Sequence, residues 1–315
     1  MEVQRRMNDE IFDVVIIGGG PAGLTAGIYT ARETLKTILL EKELTGGQPT
    51  KVDILENYPG FLDGILGMEL MDKMRAQAEK FNVKFGEFED VRAIIPEGKT
   101  FRLVTENNEY VSRAVIISTG GLPRLIGLES EKALFGKGVS YCAVCDGPFY
   151  KNADIVVVGG GDAAVQEGIY LTKFAKKVTI IHRRDQLRAQ PILQQRAFDN
   201  EKIAFKWDSV VTEILGSDHD EGVEIRNVKT GEKSRFAVDG VFVFIGWLPN
   251  TSFVKDLLKL DRDGYIITGE HMETSVKGIF AIGDVRSKKY RQIANAIGDG
   301  ANGALAASDY LAERK

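Results

Sequence analysis

Cysteine is nearly absent: the 315 residues hold only Cys142 and Cys145. Two cysteines cannot staple a small secreted scaffold, nor supply the four thiolates of a structural zinc site. Histidine is almost as scarce, with His219 and His271 read as surface or turn residues and His182 in a motif discussed below; no metal is expected. Charge of one sign is lacking too. The 41 basic and 45 acidic residues leave a net of −4, without the basic excess that nucleic acid or an anionic membrane favours. No apolar run approaches the ~20 residues of a membrane span. The opening MEVQRRMNDE has no hydrophobic core of a secretory signal. The expectation is a cytoplasmic protein that binds neither nucleic acid nor membrane.

Proline is sparse, at 8 residues, whereas glycine reaches 34, against usual shares of about 5% and about 7%. Glycine is therefore placed for turns rather than for disordered linkers. With 43% hydrophobic and 27% charged residues, the chain is globular in composition and long enough to bury two cores.

The apolar run Phe12 to Ile17 stops at Gly18, Gly19 and Gly20, which reads as a buried parallel strand. Pro21 to Arg32 reads as a helix. Thr37 to Leu40, closed by the acid Glu41, reads as the second strand of a strand-helix-strand unit. The pattern recurs: DVVIIGGGPAGLTAGIY from Asp13 returns as DIVVVGGGDAAVQEGIY from Asp154. An offset of about 140 residues is the size of a domain, not of a solenoid repeat. Crossings between domains are expected at 118–123 and at 246–249, because both are rich in Gly and Pro. The apolar segment Gly278 to Ile282 and the alanine-rich helix Ile293 to Leu311 then return the chain to the first domain. The patch Ser217 to Glu221 and the GEK around Glu232 read as hairpin turns.

The predicted fold is α/β, with two Rossmann-like dinucleotide-binding domains. The second, 123–248, is inserted in a discontinuous first domain of 1–122 and 249–315. In the first unit Gly18, Gly20 and Gly23 form G-x-G-x-x-G between strand and helix. These glycines allow a tight turn and let the backbone approach a pyrophosphate at the helix N-terminus, while Glu41 is placed to take ribose hydroxyls. The second unit has Gly159, Gly161 and Ala164, a G-x-G-x-x-A variant with Asp162 and Ala163 inside it. Where the first unit has its acid, the second has His182, Arg183 and Arg184, with Arg188 a few residues on. Guanidinium groups suit a 2′-phosphate, so NADPH is expected in preference to NADH; the plain alternative is a solvated basic loop.

Two dinucleotide sites imply a relay between a tightly bound flavin and a nicotinamide that comes and goes. Cys142 and Cys145, in YCAVCDG, supply a terminal acceptor, since a C-x-x-C dithiol passes two electrons by thiol exchange. A buried structural couple, or half of an intersubunit metal site, is the alternative. Asp146 follows directly and is placed to move the proton that exchange requires; otherwise it is a turn residue before Gly147.

These residues together resemble the low-molecular-weight thioredoxin reductases of bacteria and archaea, along essentially the whole chain. The resemblance is carried by GGGPAG at Gly18, GGQ at Gly46, ENYPG at Glu56, STG at Ser118, CAVCDG at Cys142, GGGDAA at Gly159, HRRDQLRA at His182, GWLPN at Gly246, FAIGD at Phe280 and YRQ at Tyr290, in the family's order. It implies a homodimeric enzyme with one FAD per subunit and a redox disulfide on the inserted NADPH domain. Its partner would be thioredoxin or a similar small dithiol protein. It further implies that Gln48, Asn57, Asp284, Gln292 and Ile293 contact FAD, with Asp284 on the ribityl chain; a helix cap is a compatible reading of Asp284. Cys145 facing the flavin also follows from the resemblance, because the spacing leaves the two sulfurs exchangeable. Nicotinamide and disulfide must each reach the flavin, so domain rotation is implied, with the crossings near Gly120 to Pro123 and Gly246 to Pro249 as hinges. Pro49 after GGQ, where a larger apolar residue is usual, and Trp247 in GWLPN depart from the family's commonest pattern.

Two other enzymes share the expected fold and dithiol: ferredoxin-driven flavin thioredoxin reductases, and flavin dithiol oxidases that use oxygen. The arginine cluster speaks against both. A nucleotide-binding redox sensor without turnover is the reading outside enzymes, and no effector segment argues for it.

Overall fold

A computed structural model describes residues 6–217 and 221–314, with side chains from residue 10 onward. His219 and most of the 217–221 patch lie outside the described residues. The chain divides into two compact units. The first comprises Met1–Thr50, Ile54–Leu122 and Leu248–Lys315; the second comprises Lys51–Asp53 and Pro123–Trp247.

In the first unit the strand Arg6–Ile17 lies between Thr37–Glu41 and Asn108–Ile117, parallel to both. Lys84–Glu87 extends the sheet in parallel beyond Thr37–Glu41. On the other side Asn108–Ile117 pairs in parallel with Ile279–Ala281 and antiparallel with Thr100–Val104, which pairs with Ala93–Glu97. The central strands are buried on both faces, which is why they read as unbroken apolar runs. Val15, Ile17, Leu40, Val115, Ile117 and Ile279 fill one cluster. Ile16, Leu39 and Ile116, pointing the other way, are equally sealed. Each such side chain contributes roughly 1.5–3 kcal/mol by leaving water. The strand begins earlier than the apolar run: its opening residues pair with Asn108 and Glu109 across an irregularity between Met7 and Ile11.

The second unit repeats the arrangement. Asp154–Gly159 lies between Lys177–Ile181 and Gly240–Phe244, with Ile203–Lys206 and Val139–Ser140 on the two edges, all parallel. An antiparallel three-stranded sheet, Ser209–Leu215, Gly222–Asn227 and Lys233–Phe236, packs its Val211, Ile214, Val223 and Ile225 into the same core. In both units the glycine-ended strand has its second strand on one side and a later strand on the other. The crevice beyond the carboxyl ends of such strands is where open parallel sheets bind ligands. This is the α/β, twice-Rossmann-like fold expected from the sequence. The helices Pro21–Arg32 and Ile293–Ala312 lie within one residue of expectation at either end.

Candidate dinucleotide sites and redox disulfide

The first glycine turn is built by its neighbours. Gly18 donates its amide to Leu40 O at 2.8 Å, and the Ser118 hydroxyl donates to Gly18 O at 2.7 Å. Gly18 sits at φ +105, and a Cβ there would fall 2.5 Å from Ser118 O. A Cβ on Gly23 would fall 2.0 Å from Gly18 O, so the helix can start this close to the strand only with glycine at both places. Gly20 differs. It caps the Pro21–Arg32 helix without a side-chain hydrogen bond, and a Cβ on it would meet nothing within 4 Å. The space beside Gly20 at the helix N-terminus is thus open, as a phosphate there requires. Glu41, half-buried, accepts the Gly19 N–H at 2.7 Å and the Glu43 N–H at 3.2 Å, which holds its carboxylate at the mouth of the turn.

Other expected flavin contacts gather in the same unit. Gln48 donates to Gly121 O at 3.3 Å, and Pro49 after it is buried in the Gln48–Lys51 turn. Asn57 donates to the Gln292 side chain at 3.2 Å, joining residues 235 positions apart. Gln292 caps the Ile293–Ala312 helix without a side-chain bond of its own to the helix. Asp284 lies in the Gly283–Val285 turn, where burial pushes its carboxyl above the ordinary range and Lys288, 3.2 Å away, pulls it back.

The second turn follows the same plan. Gly159 is at φ +148, with a Cβ 2.3 Å from Phe244 O excluded, while Gly161 caps the Asp162–Leu171 helix and faces open space. The segment carrying the arginines is tied to this turn: Arg188 N–H donates to Gly160 O at 2.7 Å, and Asp162 accepts the Gln190 N–H at 2.7 Å and its amide side chain at 2.9 Å. Asp162 is therefore engaged with protein, next to an exposed Ala163. Arg183, Arg184 and Arg188 are exposed, and among the described residues none of their guanidiniums has a carboxylate partner. His182 goes the other way. Its ring is 5% exposed and packed where a Gly160 side chain would be. Burial, and then the nearby arginine charges, push its pKa down and so favour the neutral ring. The positive charge here belongs to the arginines.

Cys142 and Cys145 are joined as a disulfide, Cα to Cα 5.3 Å, with Cys145 exposed and Cys142 partly so. Cys142 caps the short Ala143–Asp146 helix, its sulfur accepting the Cys145 N–H at 3.2 Å. Asp146 is half-buried and accepts from the Ser140 hydroxyl at 2.6 Å, and Ser140 Oγ in turn accepts the Cys142 N–H at 3.0 Å. Ser140 therefore links the acid to the dithiol. Nothing in the sequence distinguishes it from any other serine before a cysteine. Glu131 is a second residue that patterning missed: fully buried, it accepts the Ile126 and Gly127 amides and the Tyr141 hydroxyl, fixing the approach to Cys142. Among the described residues no group of His, Cys, Asp and Glu could hold a metal, and no helix is long and apolar enough to cross a membrane.

Two open glycine turns and a disulfide on the second unit define a disulfide oxidoreductase of the two-dinucleotide class. Residues 12–300 match the family described as pyridine nucleotide-disulphide oxidoreductase. The chain is 50% identical over 311 residues to the thioredoxin reductase of Bacillus subtilis, covering 97% of this chain and 96% of that one. Among solved structures it matches the thioredoxin reductase of Lactococcus lactis in its FR conformation, with TM-score 0.94, 48% identity, and 96% and 99% of the two chains covered. It also matches that of T. acidophilum, with TM-score 0.92, 36% identity, and 98% and 100% covered. The chain belongs to the pyridine nucleotide-disulphide oxidoreductase family, in its thioredoxin reductase branch. Membership brings a flavin, a pyridine nucleotide and a redox disulfide, and the open helix starts at Gly20 and Gly161 fit two dinucleotides.

Proposed function

We propose that this enzyme reduces the disulfide of a thioredoxin with electrons from NADPH, using FAD held by the first unit. The observation that carries the reading is the Cys142–Cys145 disulfide, with Cys145 exposed, on the unit in which the segment bearing the exposed Arg183, Arg184 and Arg188 is tied to the second glycine turn by the Arg188 N–H on Gly160 O. FAD, when bound, accepts two electrons from a nicotinamide and delivers them to a disulfide. Gly18, Gly20, Gly23 and Glu41, with Gln48, Asn57, Asp284, Gln292 and Ile293, would hold it. Gly159, Gly161 and Ala163 would receive the NADPH pyrophosphate, with Asp162 tying the arginine segment in place. Arg183, Arg184 and Arg188 would take the 2′-phosphate by charge-assisted hydrogen bonds, with His182 as packing beneath them.

Once reduced, one cysteine thiolate attacks a partner sulfur, forming a mixed disulfide and releasing a partner thiolate, which takes a proton. The second cysteine, deprotonated, attacks its neighbour's sulfur in that bond. Cys142–Cys145 re-forms, the partner leaves as a dithiol, and two electrons and two protons have moved. Asp146, which accepts from the Ser140 hydroxyl, would exchange the cysteine proton.

The hinges are assigned to Gly121–Pro123 and Trp247–Pro249, which pair with each other as two short strands, with Gly120 at φ +58 and Gly246 at φ +117 beside them. A homodimer, which the family resemblance implies, in the cytoplasm completes the reading; sedimentation and cell fractionation test both. The decisive test is anaerobic. NADPH should bleach the flavin absorbance, and NADPH oxidation should follow added thioredoxin in the parent but not in Cys142→Ser. A flavin indifferent to NADPH but bleached by reduced ferredoxin, or one consuming oxygen instead of thioredoxin, overturns it.

A further inference from the structure

Beneath the Gly283–Val285 turn lies a charged group with no task so far. Asp299, in the second turn of the Ile293–Ala312 helix, has a side chain only 12% exposed, and both of its oxygens are engaged. One accepts the Gly283 N–H and the Lys288 ammonium, each at 3.1 Å; the other accepts from Arg286 at 3.0 Å. Lys288, 11% exposed, sits between Asp299 and Asp284, 3.2 Å from the latter. Arg286 continues to the Thr268 hydroxyl at 2.9 Å. Ion pairs this sheltered differ in kind from exposed ones, because removing one partner strands a charge that water cannot reach.

The place matters as much as the bonds. Gly283, at φ +70, lies against Ala22, and a Cβ on it would fall 2.8 Å from the Ala22 methyl. Gly300, next to Asp299, approaches the same residue, where a Cβ would fall 2.5 Å from Ala22 O. Asp299 therefore stands where the helix start after Gly20, the Asp284 turn and the helix start at Ile293 converge.

We infer that Asp299 is a positioning residue for the flavin. By accepting the Gly283 amide and sharing Lys288 with Asp284, it fixes the Asp284 carboxylate against the start of the Ile293–Ala312 helix. A carboxylate meets a ligand hydroxyl well only when its own direction is fixed by such support. The inference rests on the assignment of FAD to the first unit.

The test strips FAD from the purified enzyme and titrates it back, following quenching of its fluorescence, for the parent, Asp299→Ala and Asp299→Asn. The absorption spectrum and reduction potential of the bound flavin are then measured at saturating FAD. Asp299→Ala is expected to weaken FAD binding tenfold or more and to shift both spectrum and potential. Asp299→Asn keeps an acceptor for Gly283 but loses the ion pairs, and should fall between. Arg102→Met, which breaks a pair with Glu97 on the antiparallel strands, controls for general loosening and should leave the bound flavin's spectrum and potential unchanged. Asp299→Ala binding FAD within twofold of the parent, with spectrum and potential unmoved, overturns the inference alone. If Asp299→Ala does not fold, by circular dichroism, the same readouts on Asp299→Asn decide it. A parent that takes up no FAD overturns the functional reading, and this inference with it.

Discussion

Single side chains carry the pH dependence. Burial pushes the Glu167 carboxyl from 4.5 up to about 8, the negative charge of Asp53 adding to it, and among the described residues its Oε2 has no hydrogen-bond partner. Between those two values the folded protein keeps a proton that the unfolded chain has released, so stability falls as pH rises through the window. Glu167→Gln is expected to flatten that fall, raising the melting temperature at pH 8.5 and changing it little at pH 5; thermal melts across pH check this. Glu224 behaves oppositely. Lys233, Arg235 and Thr212 hold its carboxyl at about 2, so its contribution is present above pH 4.5 and is lost as pH falls toward 2. In the arginine cluster, Arg183→Gln and Arg184→Gln should each raise the NADPH KM about tenfold, the scale of one lost charge-assisted hydrogen bond pair, with kcat and the NADH KM little changed. Steady-state kinetics with both nucleotides measure it. The arginines were legible from their place at a strand end, whereas the inward turn of His182 was not, because only packing against Gly160 decides which way that ring points.

At the scale of elements, the two glycine turns separate folding from binding. Gly159→Ala asks for φ +148 with a methyl 2.3 Å from Phe244 O, so it should lower the melting temperature and nucleotide binding together. Gly161→Ala puts its methyl into open space before the helix. It should leave the melting temperature within a few degrees and raise the NADPH KM severalfold, a split that melts and kinetics together reveal. The strand-turn-helix units were legible because period and glycine placement are local signals. The start of the first strand at Arg6 was not, since Arg6 and Met7 join the sheet by pairing with Asn108 and Glu109, beyond an irregularity that ends at Ile11, and no alternation announces it. The Ser209–Phe236 sheet escaped for the same reason: its hairpin at Gly231 was expected, but its packing into the second core was not.

For the whole molecule, electrons must cross from one nucleotide to a partner protein, and the cysteines are the exit. Cys145→Ser and Cys142→Ser should both abolish thioredoxin turnover while NADPH still bleaches the flavin, as stopped-flow spectra under argon will show. Survival of turnover in either would remove the dithiol from the path. The sequence by itself determined the doubled nucleotide-binding plan, the dithiol and the family, because glycine turns, apolar runs and C-x-x-C are written in neighbouring residues. The tertiary structure alone decided that Asn57 meets Gln292, that Ser140 holds Asp146, that Glu131 braces the approach to Cys142 and that Asp299 gathers Gly283, Arg286 and Lys288. Such contacts depend on which residues the packed core brings within hydrogen-bonding distance, and spacing along the chain carries no record of that.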